Sequence, residues 1–206
     1  MKLIDISMTL SKETPNWPGD TPFHYEIAWP MAESGSVNVG KIEASTHIGT
    51  HIDAPFHYDD AGQKTDELDL NRYFAKAAVI DCTGLSEIKK DHINFKGEAV
   101  TAVLFKTCAW QNRQVFPESI PVLGTEVPAY LKEQGINLIG VDLPSVDHLE
   151  SKELPVHHAL YAQHINILEG IVLDEVEAGM YQLIAMPLKI KGGDGSPVRA
   201  VLISEK

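Results

Sequence analysis

The sequence has only two cysteines in 206 residues, Cys82 and Cys108. Both stand in apolar runs, 77–82 and 103–108. That excludes a disulfide-stapled framework and a cysteine-rich zinc module, and it predicts two buried free thiols. Neither has a base close by in sequence, which disfavours a cysteine nucleophile. Positive charge is also scarce. There are 17 Lys and Arg against 29 Asp and Glu, a net charge of −12. A chain this acidic is a poor partner for nucleic acid or for an anionic membrane. No run approaches the roughly 20 apolar residues of a membrane span. The opening Met1-Lys2-Leu3-Ile4-Asp5-Ile6 has no apolar signal core, and a cytoplasmic location is expected.

Repeats, low-complexity tracts and long linkers are absent as well. With 44% hydrophobic residues, the chain is large enough for one domain with a real core, and a single domain over 1–206 is expected. Short β-branched runs bounded by Gly, Pro or Asp predict strands at 3–6, 25–29, 37–44, 77–81, 100–106, 138–141, 165–168, 182–187 and 198–203. Helical stretches are fewer: 125–134, stopped by Gly135, with shorter candidates at 69–74 and 155–163. The mix reads as a single α/β or α+β domain.

Against these absences stands one dense segment: His47-Ile48-Gly49-Thr50-His51-Ile52-Asp53-Ala54-Pro55-Phe56-His57. Three histidines and an aspartate within eleven residues suit a metal site. Gly49 and Pro55 oppose a regular helix. The zincin pattern also fails, because Ile48 stands where a glutamate is needed. On a strand His47, His51, Asp53 and His57 would all face one side. Yet a straight strand from His47 to Asp53 covers roughly 20 Å, whereas ligands lie about 2 Å from their ion. The segment therefore has to bend, with Gly49 the residue best able to turn, and a bent strand or strand-to-loop corner is predicted. Imidazole and carboxylate ligands suit zinc, with manganese, iron or cobalt as competitors.

A second cluster lies downstream. Glu169 ends the apolar run 165–168, where a carboxylate is costly unless paired or metal-bound. His157 and His158 are adjacent, so only one of them is expected to face a site. Two loops are expected to border it. One is 140–147, after a buried strand. The other is the glycine-rich 191–197, in which Gly192–Pro197 forms either a mobile lid or a hairpin.

The histidine segment resembles the signature of the cyclase-type metal-dependent hydrolases, His-x-Gly-Thr-His-x-Asp-x-Pro-x-His. The likeness runs from Asp5 to about Leu202. It includes Asn16-Trp17-Pro18-Gly19-Asp20, Val37-Asn38-Val39-Gly40, Ile167-Leu168-Glu169-Gly170 and Ser196-Pro197-Val198-Arg199. The Trp-Pro-Gly-Asp and Ser-Pro-Val-Arg segments point to the formamidase branch. The resemblance implies a strand-rich β/β/α fold of the swivelling type with a barrel-like mixed sheet. It implies His47, His51 and Asp53 as ligands of a first metal, and Asp53, His157 and Glu169 as ligands of a second. Two zinc ions per subunit are then expected, with manganese or cobalt as substitutes. His157, twelve residues before Glu169, is preferred over His158. His57 corresponds to the catalytic proton donor and acceptor, and Trp17 to a substrate contact.

The implied activity is hydrolysis of an aryl formamide, N-formyl-L-kynurenine, to L-kynurenine and formate in tryptophan degradation. The alternative is a sister reaction on another aryl or cyclic amide, of the isatin type. A homodimer or larger homo-oligomer is also implied. The apolar segment 23–31 is open to two readings, an interface or the substrate mouth.

Overall fold

A computed structural model describes residues 1–95 and 99–204. Its strands are β1 (Lys2–Asp5), β2 (His24–Trp29), β3 (Val39–Glu43), β4 (His51–Asp53), β5 (Phe74–Asp81), β6 (Glu87–Ile88), β7 (Ala102–Lys106), β8 (Val122–Leu123), β9 (Leu138–Val141), β10 (Asn166–Glu169), β11 (Gly179–Ile184), β12 (Gly195–Pro197) and β13 (Val201–Ser204). Its helices are α1 (Met31–Ser34), α2 (Val127–Glu133) and α3 (Pro155–Ala162). Nine strands form one mixed sheet in the order β1-β13-β11-β5-β7-β9-β10-β4-β12. The central four, β5, β7, β9 and β10, run parallel. Antiparallel strands flank them on both sides. The expected α/β class and barrel-like mixed sheet are what the chain forms, a sheet curled into half a barrel.

Period-two alternation explains why both faces are covered. Val103, Phe105, Ile139, Val141 and Ile167 point into a core shared with Leu131 of α2 and with Val156 and Leu160 of α3. Ala102, Leu104, Leu138 and Leu168 point the other way, into the hollow of the curled sheet. There they meet Ile6, Ile52, Leu183 and Leu202.

All nine predicted strands appear, most with ends shifted by a few residues. The 69–74 stretch is different. Only a 3-10 turn, Leu70–Tyr73, forms there, with the Asp69 carboxylate accepting from the Asn71 N–H. Phe74 already belongs to β5, because β5 pairs residue by residue with β11 from Phe74 to Val79. That ladder satisfies backbone groups that a helix would have taken. Residues 195–197 form the edge strand β12, which pairs with β4 and not with a neighbour in sequence, so the glycine-rich run is not a hairpin of its own. Cys82 is buried as expected, but Cys108 is only half-buried, and both thiols are free. Cys108 leaves the end of β7 with φ of 52°. Its N–H and that of Thr107 donate to the buried Asp142 carboxylate, and this turn carries the thiol out of the apolar run. Among the described residues no helix is long and apolar enough to cross a membrane.

One contact fixes the geometry on which the rest depends. Gly170, directly after β10, has φ of 64°, and a Cβ there would lie 2.2 Å from the Gly49 carbonyl oxygen. Thr50 Oγ1 donates to the Gly170 carbonyl at 2.6 Å and accepts from Met8 N–H at 2.8 Å. The turn at 46–50 is thereby pressed against the end of β10. Gly170→Ala adds a clash and a strained left-handed backbone, and strain of this kind costs about 1–3 kcal/mol. Urea unfolding should register at least that loss. A midpoint equal to that of the parent would mean that this contact is not a constraint.

Candidate metal centre

The predicted corner is present. Residues 46–50 form turns and bends, Gly49 takes φ of 60°, and β4 begins at His51. His51 and Asp53 are two apart on β4, so both face one side, while Ile52 between them is fully buried in the opposite core. β10 runs antiparallel to β4 and places Glu169 directly across from His51. His157 enters from the first turn of α3. Its position is set by Asp147, whose carboxylate accepts the N–H groups of Val156 and His157 at 2.9 and 3.0 Å. His157 is buried and His158 is exposed, as their adjacency required.

Four side chains gather around Asp53. His47 Nδ1 lies 3.0 Å and His51 Nε2 3.5 Å from Asp53 Oδ1. His157 Nε2 lies 3.5 Å from Asp53 Oδ2. Glu169 completes the ring, with Oε2 3.5 Å from His51 Nε2 and Oε1 3.9 Å from His157 Nε2. Three sets of atoms among the described residues are close enough to hold an ion: His47, His57 and Asp194 at the rim, and two deeper sets, His47, His51 and Asp53, and Asp53, His157 and Glu169. Asp53 is common to the two deeper sets and turns one oxygen to each.

The donor set fits metal. Asp53 Oδ2 is buried with no hydrogen-bond partner, and a buried carboxylate oxygen without a partner is costly. The outward nitrogens point the same way. His51 Nδ1 is 3.0 Å from the Gly49 carbonyl, His157 Nδ1 2.7 Å from Asp147 Oδ2, and His47 Nε2 3.2 Å from Asp194 Oδ2. Each imidazole thus turns one nitrogen to the centre and offers the other N–H to an acceptor, the usual support of a metal-ligating histidine.

His57 ends the 3-10 turn Pro55–His57. Its ring centroid is 3.9 Å from that of His47 and 6.4 Å from that of His157. Its side chain is partly open to solvent, at the edge of a cavity of about 470 Å³. The floor of this cavity is His47, His51, His157 and Glu169. Its walls include Trp17, Trp110 and Phe116, with Trp17 edge-on to Phe116 at 5.2 Å. Trp17 lies in a loop before the Pro18-Gly19 turn, as its sequence implied. All seven residues singled out in the sequence therefore border one cavity or the cluster beneath it.

Several contributors were not singled out. Asp147 and Asp194 sit in the two loops expected to border the site, but nothing in sequence marked those residues within them. Trp110, Phe116 and Ser145 also line the cavity. Ser145 lies in the expected 140–147 loop, whereas the only signal for Trp110 and Phe116 was residue type, since no spacing links them to the histidines. Arg199, of the Ser-Pro-Val-Arg segment, grips the Asp5 carboxylate with two nitrogens instead, tying the chain before β13 to the end of β1.

Charge is concentrated here. Burial works against protonation of His47, but hydrogen bonds to Asp194 and Asp53 outweigh it and raise its pKa to about 9. Burial likewise opposes charge on His51 and His157. Contacts with Asp53 and Glu169 for His51, and with Asp147 and Asp53 for His157, raise both to about 10. Burial opposes ionisation of Asp53 too, yet His157, His47 and His51 hold it well below the usual carboxylate range. Glu169 goes the other way, raised by burial and then by the Asp53 charge. Burial lowers His57 below the usual imidazole value, which favours the neutral ring at pH 7.

The fold and this centre define the class, a metal-dependent hydrolase of the cyclase type. Residues 4–148 match the family model described as "Putative cyclase", and the chain belongs to that family. It is 53% identical to a kynurenine formamidase of Geobacillus thermodenitrificans, covering 97% of this chain and 96% of that protein. It is 50% identical to a kynurenine formamidase of Bacillus anthracis, covering 98% and 97%. A solved structure of a potential metal-dependent hydrolase with cyclase activity superposes with a TM-score of 0.83 at 26% identity, covering 98% of this chain and 96% of that one.

The raised histidine values set the sign of a pH effect on the metal-free protein. A group with its folded pKa above the unfolded 6.5 stabilises fully below 6.5, and that contribution disappears as pH rises through the folded value. Thermal unfolding of chelator-stripped protein should therefore show stability falling as pH rises through about 9 to 10. The metal-loaded protein should be flatter over that range, because metal replaces the protons. Identical profiles for the two forms would contradict this account of the cluster.

Proposed function

We propose that this protein is an arylformamidase that hydrolyses N-formyl-L-kynurenine to L-kynurenine and formate in tryptophan degradation. The observation that carries the reading is an aromatic-walled cavity opening onto a buried, carboxylate-bridged histidine cluster, in a chain so similar to the formamidases named above. We assign His47, His51 and Asp53 to one zinc ion, and Asp53, His157 and Glu169 to a second, with manganese or cobalt as substitutes. Five protein ligands are too many for one tetrahedral catalytic ion and suit two ions bridged by a carboxylate. When bound, such ions supply a water whose pKa falls from 15.7 towards about 7, and they polarise the formyl oxygen.

The protein's own groups do the rest. His57, neutral at pH 7 and at the cavity edge, takes a proton from the attacking water and returns it to the departing aniline nitrogen. Trp17, with Phe116 edge-on behind it, offers a face for the substrate's aryl ring. Aromatic pairs of this kind contribute about 0.5–1.5 kcal/mol beyond area burial. The free thiols of Cys82 and Cys108 fit a reducing compartment, and we assign the cytoplasm.

The direct experiment is hydrolysis of N-formyl-L-kynurenine, followed by kynurenine absorbance, before and after chelation and with zinc restored. Turnover should vanish with chelator and return with zinc. His57→Ala should lower kcat by about 10²–10⁴-fold while metal content stays at the parental level. Zinc-replete protein that ignores this substrate but opens isatin would replace the formamidase reading with the cyclic-amide one. Activity unchanged in His57→Ala would remove the proton-transfer role.

We further assign a second copy of the chain as partner. β2 and β3 form a two-stranded arm exposed along its whole length. Tyr25, Ile27, Trp29 and Ile42 all lie open on it. A lone two-stranded hairpin is marginal in water, and a contiguous apolar surface marks an interface. Sedimentation should give a dimer or larger oligomer, shifted toward monomer by Trp29→Ser with Ile42→Ser. A parent that sediments as a monomer would overturn the assignment.

A further inference from the structure

We propose that Asp194 is a positioning residue for His47, holding its ring in the orientation that turns Nδ1 toward the metal. This rests on the metal reading above. Asp194 precedes β12, and its carboxylate stands at the rim of the centre. Oδ1 accepts from Thr46 Oγ1 at 2.8 Å. Oδ2 lies 3.2 Å from His47 Nε2 and 4.0 Å from His57 Nδ1. The two rings lie 3.9 Å apart, centroid to centroid, with planes 35° apart. Asp194 Oδ2 is thus within hydrogen-bond reach of His47 alone, and His57 packs against the ring so held.

The tautomer argument gives this contact its meaning. A neutral imidazole carries one N–H and one lone pair. If Nε2–H of His47 donates to Asp194, the lone pair is on Nδ1, which faces Asp53 at 3.0 Å. His51 and His157 are arranged the other way, with Nδ1 toward the supporting acceptor and Nε2 toward the centre. His47 is thus the one of the three whose inward atom is Nδ1. The inward lone pair on Nδ1 requires the proton to be on Nε2, and Asp194 is the acceptor that faces Nε2.

Main chain fixes the support. The Asp194 carbonyl accepts from Ala54 N–H at 2.8 Å, and the Gly193 carbonyl accepts from Thr65 N–H at 2.9 Å. Gly195 lies so close to His47 that a Cβ there would be 2.7 Å from ring Cε1. Asp147, the corresponding acceptor for His157, is 2% exposed and also holds the first turn of α3. The Asp194 side chain is 41% exposed and its hydrogen-bond partners are Thr46 and His47, so its replacement is expected to leave the fold intact.

The test is stepwise zinc affinity of the metal-stripped protein, by competition with a chromophoric chelator, for the parent, Asp194→Ala, Asp194→Asn and Thr46→Val. Outer partners of this kind are worth about 10–100-fold in metal affinity. Asp194→Ala should weaken one of the two zinc equivalents by about that factor and spare the other. Asp194→Asn should be milder, because the amide oxygen still accepts from Nε2–H, and Thr46→Val should weaken the same equivalent. Kinetically, Asp194→Ala should lower kcat with KM for N-formyl-L-kynurenine little changed. Unaltered affinities in Asp194→Ala would overturn the inference, as would equal weakening of both equivalents together with a lowered Tm of the metal-free protein, the mark of mere fold support. A parent without tight zinc binding would instead sink the metal reading itself, and this inference with it.

Discussion

The structure is organised around a single buried charge, the Asp53 carboxylate. Taking a carboxylate out of water costs several kcal/mol even after relaxation. That cost is met only if both oxygens find partners. Three imidazoles and Glu169 converge on it, and Oδ2 is still left without a hydrogen bond. The requirement explains the local fold. β4 must lie inside the sheet, between β10 and β12, so that its inward side chains are shielded. The chain before it must double back sharply at Gly49 to bring His47 to the same oxygen as His51. Gly170 must have no side chain, so that this turn can press against β10.

The sheet and the loops share the labour. His51, Asp53 and Glu169 sit on adjacent paired strands, whose register sets their spacing, and His157 sits on the capped first turn of a helix. Strands and helices hold a ligand set more precisely than loops. The cavity walls, by contrast, come from loops: Trp17 before β2, Trp110 and Phe116 after β7, and Leu154 before α3. Loop walls of this kind can change without disturbing a centre held by strands and a helix.

Much of this was legible in the sequence, and the parts that were not have physical causes. The distance argument on residues 47–57 required a bend at Gly49, and the bend is there. The strand runs at 77–81 and 138–141 became β5 and β9, because β-branched stretches buried on both faces allow little else. The 69–74 stretch failed as a helix because pairing with β11 outweighed its local preference, and tertiary pairing cannot be read from a short window. β12 was missed because Gly195-Ser196-Pro197 has no strand propensity. It pairs only because β4 offers it an open edge.

By itself the sequence determined the chemistry available: imidazole and carboxylate in a segment that could not be straight, a net charge of −12, and aliphatic runs enough for a two-faced sheet. Residue types and short-range spacing carry that information, because bond geometry limits what neighbours along a chain can do. Tertiary structure alone decided which nitrogen of each histidine faces inward, that Asp53 offers one oxygen to each group, and that Asp147 and Asp194 stand behind the histidines. Those facts depend on contacts such as His47 with Asp194, 147 residues apart. Only the closing of the sheet brings such pairs within reach of a hydrogen bond.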